Sequence, residues 1–220
     1  MSTGLVGRDS YLDTKLSILE NRPTIGQPQG LPLHLDKTPR PQTTEIRNCP
    51  MRIEIIEAQE KDLSVVNNLF RLYYYDLSTV TEWNCPESGL FEGYAFGDLS
   101  IFWKDDDKYA FVVRVDRHLA GFVLIDNIGV NTLVDYNIAE FFILQKYRRK
   151  GLGTYVAEHI FDQFRGNWEV MQAPSHKAAQ AFWRKVIAQY TSGDYGESIE
   201  VSKNHGGDWV VQSFNNTDRK

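Results

Sequence analysis

The sequence predicts an α/β (α+β) fold in which helices pack on both faces of a mixed β-sheet. Segments with the two-residue alternation of strands and segments with the three- and four-residue spacing of helices follow one another from Met51 onwards. Their order is β, α, β, β, β, α, β, α, β, β, which is typical of a sheet covered by helices. Hydrophobic residues make up 42% of the 220 residues, enough for the core of one domain.

The first predicted strand and helix lie at the start of this pattern. In the segment 51–58 (MRIEIIEA), isoleucines alternate with charged residues, as in a half-buried strand. Apolar residues then recur at steps of three and four from Leu63 to Leu77, which predicts an amphipathic helix. The segment 79–106 is aromatic but aperiodic, and we expect short helical turns and loops there.

The remaining elements follow in the second half of the chain. The segments 109–116 and 119–126 flank a short polar turn, which predicts a β-hairpin. The segment 135–145 is nearly apolar in its second half, which predicts a central strand. The last predicted elements are a helix from Leu152 that Gly166 ends, a strand over 168–173, a helix over 176–190, and strands near 196–203 and 208–214.

The first fifty residues differ from the rest of the chain. They contain six of the eight prolines, a density that breaks helices and central strands. We therefore expect residues 1–50 to form an N-terminal arm, either a mobile tail or a strap on the body or on a second subunit. Residues 51–220 are then the domain.

Composition and charge argue against several classes of function. A net charge of −5 and a pI of about 5.6 are unlike those of a dedicated nucleic-acid-binding protein. No apolar run reaches the roughly 18 residues of a membrane span, and the N-terminus lacks the apolar core of a secretory signal. Cys49 and Cys85 are too few for a disulfide framework or a structural zinc site. We expect a reduced, cytoplasmic protein without a metal, a membrane contact or a nucleic-acid partner.

The segment YRRKGLGT (147–154) places three cations and two glycines between a predicted strand and a predicted helix. Such a turn directs unpaired N–H groups and the positive end of the helix dipole at one place, which suits a phosphate. A dinucleotide fingerprint would need a third glycine where Val156 stands, and the Gly-Lys-Ser/Thr triplet of a mononucleotide loop does not occur. What remains is Arg-x-x-Gly-x-Gly, formed by Arg148, Gly151 and Gly153.

This motif resembles the Arg/Gln-x-x-Gly-x-Gly/Ala signature of the GNAT superfamily of acyl-CoA N-acyltransferases. A second stretch, HKAAQAFW (176–183), resembles the Asn-x-x-Ala-x-x-Phe-Tyr motif of that family. The resemblance covers roughly residues 51–214, and it is especially close to a bacterial branch of predicted acetyltransferases. It implies a mostly antiparallel, twisted sheet of six or seven strands, and a loop that holds the pyrophosphate of coenzyme A.

The resemblance also implies which residues bind acetyl-CoA. In the family, the main chain at the position of Ile143 pairs with the pantetheine arm, and the glycine loop holds the phosphates. The predicted cofactor-binding residues are Ile143, Leu144, Arg148, Arg149, Lys150, Gly151, Leu152, Gly153, Thr154, His176, Ala179 and Phe182.

The reaction that the resemblance implies is direct transfer of the acetyl group to an amine, without an acyl-enzyme. An alkyl amine with a pKa near ~10 must lose a proton, and Glu140 is the candidate base because it is the one carboxylate inside an apolar strand. The alternative is a carboxylate that is solvated or paired with an arginine. Asp76 is a second candidate, with helix capping as its alternative. A main-chain N–H near Ile143 or Leu144 would polarise the thioester carbonyl.

The second motif departs from the family pattern at two positions. His176 replaces the frequent asparagine, and it can still make a hydrogen bond as a cap or a cofactor contact, with a free catalytic histidine as the alternative. Trp183 replaces the tyrosine that is the usual general acid in the family, and an indole N–H does not release its proton at working pH. Tyr190 lies two turns further along the helix and is expected in the core. The general acid is therefore left unassigned.

Three functions compete at this stage. The first is an N-acetyltransferase for a small-molecule or protein amine, and the second is a catalytically silent acyl-CoA-binding or interaction module. The third is nucleic-acid binding through 146–150, which the negative net charge opposes. The aromatic residues of 73–75 and 91–103 either line an acceptor pocket or belong to the core. Some family members dimerise through late strands, equivalent here to 196–214, so a homodimer is compatible with the sequence.

Overall fold

The fold is described by a computed structural model, which covers residues 43–46, 49–81, 83–91, 99–203 and 206–219. For residues up to 50 it describes the main chain alone. The strands are β1 (Thr43–Ile46), β2 (Cys49–Glu57), β3 (Tyr109–Val115), β4 (His118–Ile128), β5 (Leu133–Ile143), β6 (Asn167–Gln172), β7 (Gly196–Val201) and β8 (Asp208–Asn215). The helices are α1 (Leu63–Thr81), α2 (Ile101–Lys104), α3 (Leu152–Gln163) and α4 (Lys177–Thr191), with 3₁₀ turns at Glu60–Asp62 and Gln145–Tyr147.

The strands form one mixed sheet in the order β1-β2-β3-β4-β5-β6-β8-β7. Every neighbouring pair of described strands is antiparallel except β5 and β6, which are parallel. Helix α3 connects these two strands, as a parallel pair requires a crossover. The predicted fold class is confirmed: β2 to β8 are the seven strands expected, and β1 adds a short eighth strand at one edge.

Helices cover both faces of the sheet, as predicted. On one face, α1 packs through Phe70, whose ring stacks on that of Phe122 in β4 at a centroid distance of 4.6 Å. On the other face, α3 and α4 share a second cluster, in which Phe161 of α3 packs edge-on against Trp168 of β6 at 4.9 Å. Trp183 of α4 belongs to the same cluster and is 5% exposed.

The predicted elements from 51 to 214 are all present in the predicted order. The chief differences are at boundaries: α1 continues four residues beyond Leu77, and β2 begins two residues before Met51. Strand β1 lies in the segment assigned to the arm, and its proline-rich surroundings hid it from the sequence analysis. Residues 1–42 and 92–98 lie outside the described residues, so the arm, its boundary and part of the aromatic segment stay predictions.

Replacement of Gly121 by alanine is expected to destabilise the protein strongly. Gly121 in β4 lies so close to β5 that an added Cβ would overlap the main-chain O of Phe142, and two paired strands must separate to accept it. We expect a loss of about 4 kcal/mol or more in the free energy of unfolding, measured in urea. Gly196→Ala is the control, because its Cβ would meet the rotatable Ser213 Oγ at 3.1 Å and the Ser213 main-chain O at an ordinary 3.9 Å. Equal stabilities of the two variants would contradict this account.

Candidate active site

A gap opens in the sheet between β5 and β6. Their pairing consists of two positions, Tyr136 with Trp168 and Asn137 with Glu169. Beyond Asn137 the two strands no longer pair, although β5 continues to Ile143 and remains paired with β4 on its other side. The second half of β5 therefore has one hydrogen-bonding edge that no described strand covers.

The register of β4 and β5 determines which main-chain groups face this gap. The Leu144 N–H donates to the Ala120 carbonyl at 2.8 Å, and hydrogen-bonded pairs alternate along antiparallel strands. The N–H and C=O groups of Phe141 and Ile143 therefore point away from β4, towards the gap. Of the two N–H groups predicted to polarise a thioester, that of Leu144 is used within the sheet, which leaves that of Ile143.

A bulge lies in β5 just before these residues. Leu124 of β4 pairs with Glu140, whereas the next residue, Ile125, pairs with Ile138, so that Ala139 is the extra residue. A bulge of this kind re-aims the side chains that follow it. Glu140 and Phe142 consequently lie towards α1, while Phe141 and Ile143 belong to the cluster beneath α3 and α4.

The glycine loop follows the end of β5. Tyr147 is buried in the core and anchors the loop, whereas Arg149, Lys150 and Gly151 are exposed. Gly151 has φ 86° and ψ −10°, the left-handed conformation that glycine adopts at little cost, and it is the N-cap residue of α3. No side chain caps this helix start, so its first N–H groups are directed at the loop.

The second glycine brings two helices into close contact. A Cβ on Gly153 would lie 3.2 Å from Cε2 of Phe182, so the start of α3 packs against the first turns of α4. Phe182 in turn contacts Phe141, with a ring-centroid distance of 5.7 Å. The glycine loop, α4 and the open edge of β5 therefore meet at one place. Three further predicted residues lie in these helix turns: Leu152 is buried, and Thr154 and Ala179 are half-buried.

The side chain of Arg148 folds back onto the end of β5. Its Nε donates to the Ile143 carbonyl at 2.6 Å, its Nη2 pairs with the Asp76 carboxylate, and its guanidinium lies 5.4 Å from the Phe142 ring centroid. Gln145 also donates to Asp76, at 2.9 Å. The sequence analysis placed Arg148 on a phosphate and Asp76 at an acceptor or a cap; the structure pairs them, and their contacts to a ligand stay predictions.

Glu140 accepts a hydrogen bond from α1. The Tyr73 hydroxyl lies 2.8 Å from Glu140 Oε2, in a half-buried position. The Tyr73 ring packs against Phe122 and Phe142, which fixes the hydroxyl over the strand. The sequence analysis named Tyr73 only among the aromatic residues 73–75, as part of an acceptor pocket or of the core, and did not predict its contact with Glu140. The structure thus gives Glu140 a tyrosine partner, and the role of Glu140 as a base stays a prediction.

His176 lies close to the same cluster. It is the N-cap residue of α4, and its side chain makes no capping hydrogen bond. Burial lowers the pKa of His176, the nearby Arg148 lowers it further, and Asp76 partly opposes them. The structure thus brings His176, Arg148 and Asp76 together from three separate elements.

Trp183 and Tyr190, the two other residues of interest on α4, are both core residues. Trp183 packs edge-on against Phe141 at 5.1 Å and against Phe182 at 4.9 Å. The Tyr190 hydroxyl donates to Asp162 at 2.9 Å, and burial raises the pKa of Tyr190. The core position predicted for Tyr190 is confirmed.

These features fit an acyl-CoA. The open edge of β5 offers N–H and C=O groups to an extended arm, and the uncapped start of α3 beside Arg149 and Lys150 suits phosphates. A Cβ at Gly153 would require the Phe182 ring to move by a few tenths of an ångström, so the two helices lie close together there. Within the described residues, no group of three or more His, Cys, Asp and Glu is arranged to hold a metal ion, and no helix has the length and apolar character to cross a membrane.

Comparison with known proteins identifies the class. The profile of the acetyltransferase (GNAT) family matches residues 68–187, more than half of the chain. The chain therefore belongs to the GNAT acetyltransferase family, and the family supports an acyltransferase that uses an acyl-CoA. No curated protein matches the sequence.

Solved structures agree on the fold. An acetyltransferase from Thermus thermophilus is 16% identical, with a TM-score of 0.53 over 74% of this chain and 96% of that one. A GNAT-family acetyltransferase from Streptococcus agalactiae is 12% identical, with a TM-score of 0.52 over 74% of this chain and 95% of that one. At these identities the likeness shows the fold alone.

The half-buried His176 should make stability fall at acidic pH. Its pKa in the folded protein lies below the ordinary value of 6.5, so the unfolded chain takes up the proton first. The stabilisation is complete above that value and is lost as the pH falls towards the folded pKa. We expect His176→Asn to flatten the decrease in melting temperature below pH 6.5. His159, whose pKa burial also lowers, leaves part of the decrease in place.

The exposed His118 provides the control for this measurement. His118→Asn should leave the pH dependence of the melting temperature as it is in the wild type. The same profile in His176→Asn as in the wild type would show that the side chain is solvated and not buried beside Arg148.

Proposed function

We propose that this protein is an acetyl-CoA-dependent N-acetyltransferase that transfers the acetyl group directly to a primary amine of a small molecule or a protein. The observation that carries the proposal is the open edge of β5, which leads into an uncapped, glycine-lined helix start. An extended arm with a diphosphate at one end complements both parts. The candidate base Glu140 lies on the same strand, between the bulge and the glycine loop.

The phosphates of the co-substrate are assigned to the loop. The N–H groups at the start of α3 are directed at it, and Arg149 and Lys150 are exposed beside them. Arg148 uses two of its five N–H donors on Ile143 and Asp76, so the rest are available to the same phosphates. Ile143, Leu144, Leu152, Thr154, His176, Ala179 and Phe182 complete the proposed binding surface.

In the proposed reaction the amine nitrogen forms a bond to the thioester carbonyl carbon, and the carbon–sulfur bond breaks. The neutral amine nitrogen loses one proton to Glu140, and the sulfur leaves as a thiolate that takes one proton from water. Glu140 then returns its proton to the resulting hydroxide, so charges and atoms balance. Glu140 accepts the proton of the amine, and the Ile143 N–H stabilises the negative charge on the carbonyl oxygen. The thiolate is a fair leaving group, so water serves as its proton source and Trp183 needs no acidic function.

The acceptor amine is assigned to the α1 side of β5. Glu140 lies on that side, and Tyr73 holds its carboxylate with a hydrogen bond. The aromatic residues of α1 divide into two groups: Tyr74 is buried in the core, whereas Tyr75 is 63% exposed. The aromatic segment is therefore core in part, and its exposed part is available to an acceptor. A catalytically silent acyl-CoA-binding module is the alternative function, because an enzyme and a silent module would bind acyl-CoA through the same glycine loop.

Acetyl-CoA binding is the first test of this proposal. Calorimetry should give a dissociation constant in the micromolar range for the wild type and no measurable binding for Gly151→Glu, which places a carboxylate where the phosphates belong. Gly193→Glu is the matched control: Gly193 also has a positive φ and open surroundings, but it follows the far end of α4. Failure of a folded wild type to bind acetyl-CoA would overturn both the enzyme and the binding-module functions.

Loss of the Glu140 carboxylate should abolish most of the catalysis. With the amine that gives the fastest thiol release in a screen of polyamines, aromatic amines and lysine peptides, we expect Glu140→Gln to lower kcat by about 100-fold or more. Tyr73→Phe should lower kcat by about three- to tenfold, because the carboxylate loses a hydrogen bond that orients it. The acetyl-CoA affinity of both variants should stay that of the wild type.

Tyr195, half-buried just before β7 and not included in the proposed site, is the control for these variants, and Tyr195→Phe should keep the wild-type kcat. Unchanged turnover in Glu140→Gln would exclude Glu140 as the base. Acetyl-CoA binding without thiol release for any amine in the screen would favour the silent module.

A further inference from the structure

Gln172 ends β6 with a buried side chain that has nothing to bond with. The residue is 4% exposed, and neither Nε2 nor Oε1 has a hydrogen-bond partner. Within the described part of the chain, it is the one buried amide side chain with both polar atoms unsatisfied. Burial of an unpaired carboxamide is costly, and such groups mark places where a further partner belongs.

The register places Gln172 beside the open gap. Side chains alternate along β6, so Gln172 shares a face with Trp168 and Val170, which lie beneath α3 and α4. Tyr136 of β5 pairs with Trp168 of β6, and Gln172 lies four residues after Trp168. Because the bulge adds one residue to β5, the residue of β5 level with Gln172 is five residues after Tyr136, which is Phe141. The pairing of β5 with β6 has ended there, and the main chain of Phe141 is turned towards β6. The unpaired carboxamide and the unpaired strand edge thus face the same gap.

The neighbouring Gln180 shows that this region can satisfy a glutamine. Gln180 is 2% exposed, and its Nε2 donates to the carbonyls of Ala173 and Pro174 at 2.9 and 3.0 Å. Those bonds fix the chain directly after Gln172. The unpaired state of Gln172 is therefore specific to its position at the gap and is not a general property of this end of the sheet.

We propose that the Gln172 carboxamide binds an amide of the pantetheine arm when acyl-CoA occupies the gap; the inference rests on the proposed function. A carboxamide offers both a donor and an acceptor, which an amide in the arm can match with its C=O and N–H. A carboxylate or an ammonium group would leave one of the two atoms unpaired in a buried place. The arm would then pair with β5 on one side and with Gln172 on the other.

Gln172→Leu tests this inference because the expected effects on the free and the bound protein have opposite signs. The variant removes an unsatisfied buried amide but keeps its approximate volume, so the melting temperature of the free protein should rise by about 2–4 °C. The dissociation constant of acetyl-CoA should increase by about tenfold, measured by calorimetry. Binding of 3′-phospho-ADP, the nucleotide half of coenzyme A without any amide, should stay that of the wild type.

Gln180→Leu is the matched control, and it should lower the melting temperature because its amide already has two partners. A Gln172→Leu variant with raised stability and unchanged acetyl-CoA affinity would overturn the inference and indicate that the amide stays unpaired in the bound protein too. Lower stability would overturn it too, because the amide would then support the free protein. Wild-type protein that binds 3′-phospho-ADP but not acetyl-CoA would contradict the inference, and binding of neither would refute the proposed function itself.

Discussion

The early end of the β5–β6 pairing is the constraint on which the candidate site depends. Two paired positions join these parallel strands, and beyond Asn137 the second half of β5 is held by β4 alone among the described strands. A strand edge inside a protein is costly unless something pairs with it. The edge leads directly into the glycine loop, so one ligand can use both. An extended molecule with amides along its length and phosphates at its end satisfies this geometry.

Charge around the gap is organised by α1. Tyr73 and Asp76 lie three residues apart on one face of this helix, where the first contacts Glu140 and the second contacts Arg148. These two contacts thus join α1 to the strand that carries Glu140 and to the loop that follows it. Asp76 neutralises one of the three cations, while Arg149 and Lys150 stay exposed. This arrangement gives a chain with a net charge of −5 a local positive surface.

The packing of α4 explains how the family tyrosine was replaced without loss of the fold. Trp183 is almost fully buried among Phe141, Phe161 and Phe182, where a larger aromatic side chain adds contact area. The position that is tyrosine in the motif this segment resembles serves here as core. The proposed direct transfer tolerates this change, because a thiolate leaves readily and the proposed base, Glu140, lies on the opposite side of β5.

The sequence by itself determined the order of the elements, the presence of helices on both faces of the sheet, and the glycine loop. Hydrophobic periodicity, turn residues and short motifs, which indicate these features, are local properties of the chain. The tertiary structure alone decided which side chains bond to Glu140 and Arg148, and that the Gln172 carboxamide has no hydrogen-bond partner. Tyr73 is 67 residues from Glu140, and Asp76 is 72 residues from Arg148. Contacts over such separations depend on strand register, on one bulge and on where two strands stop pairing, and no local pattern in the chain encodes these.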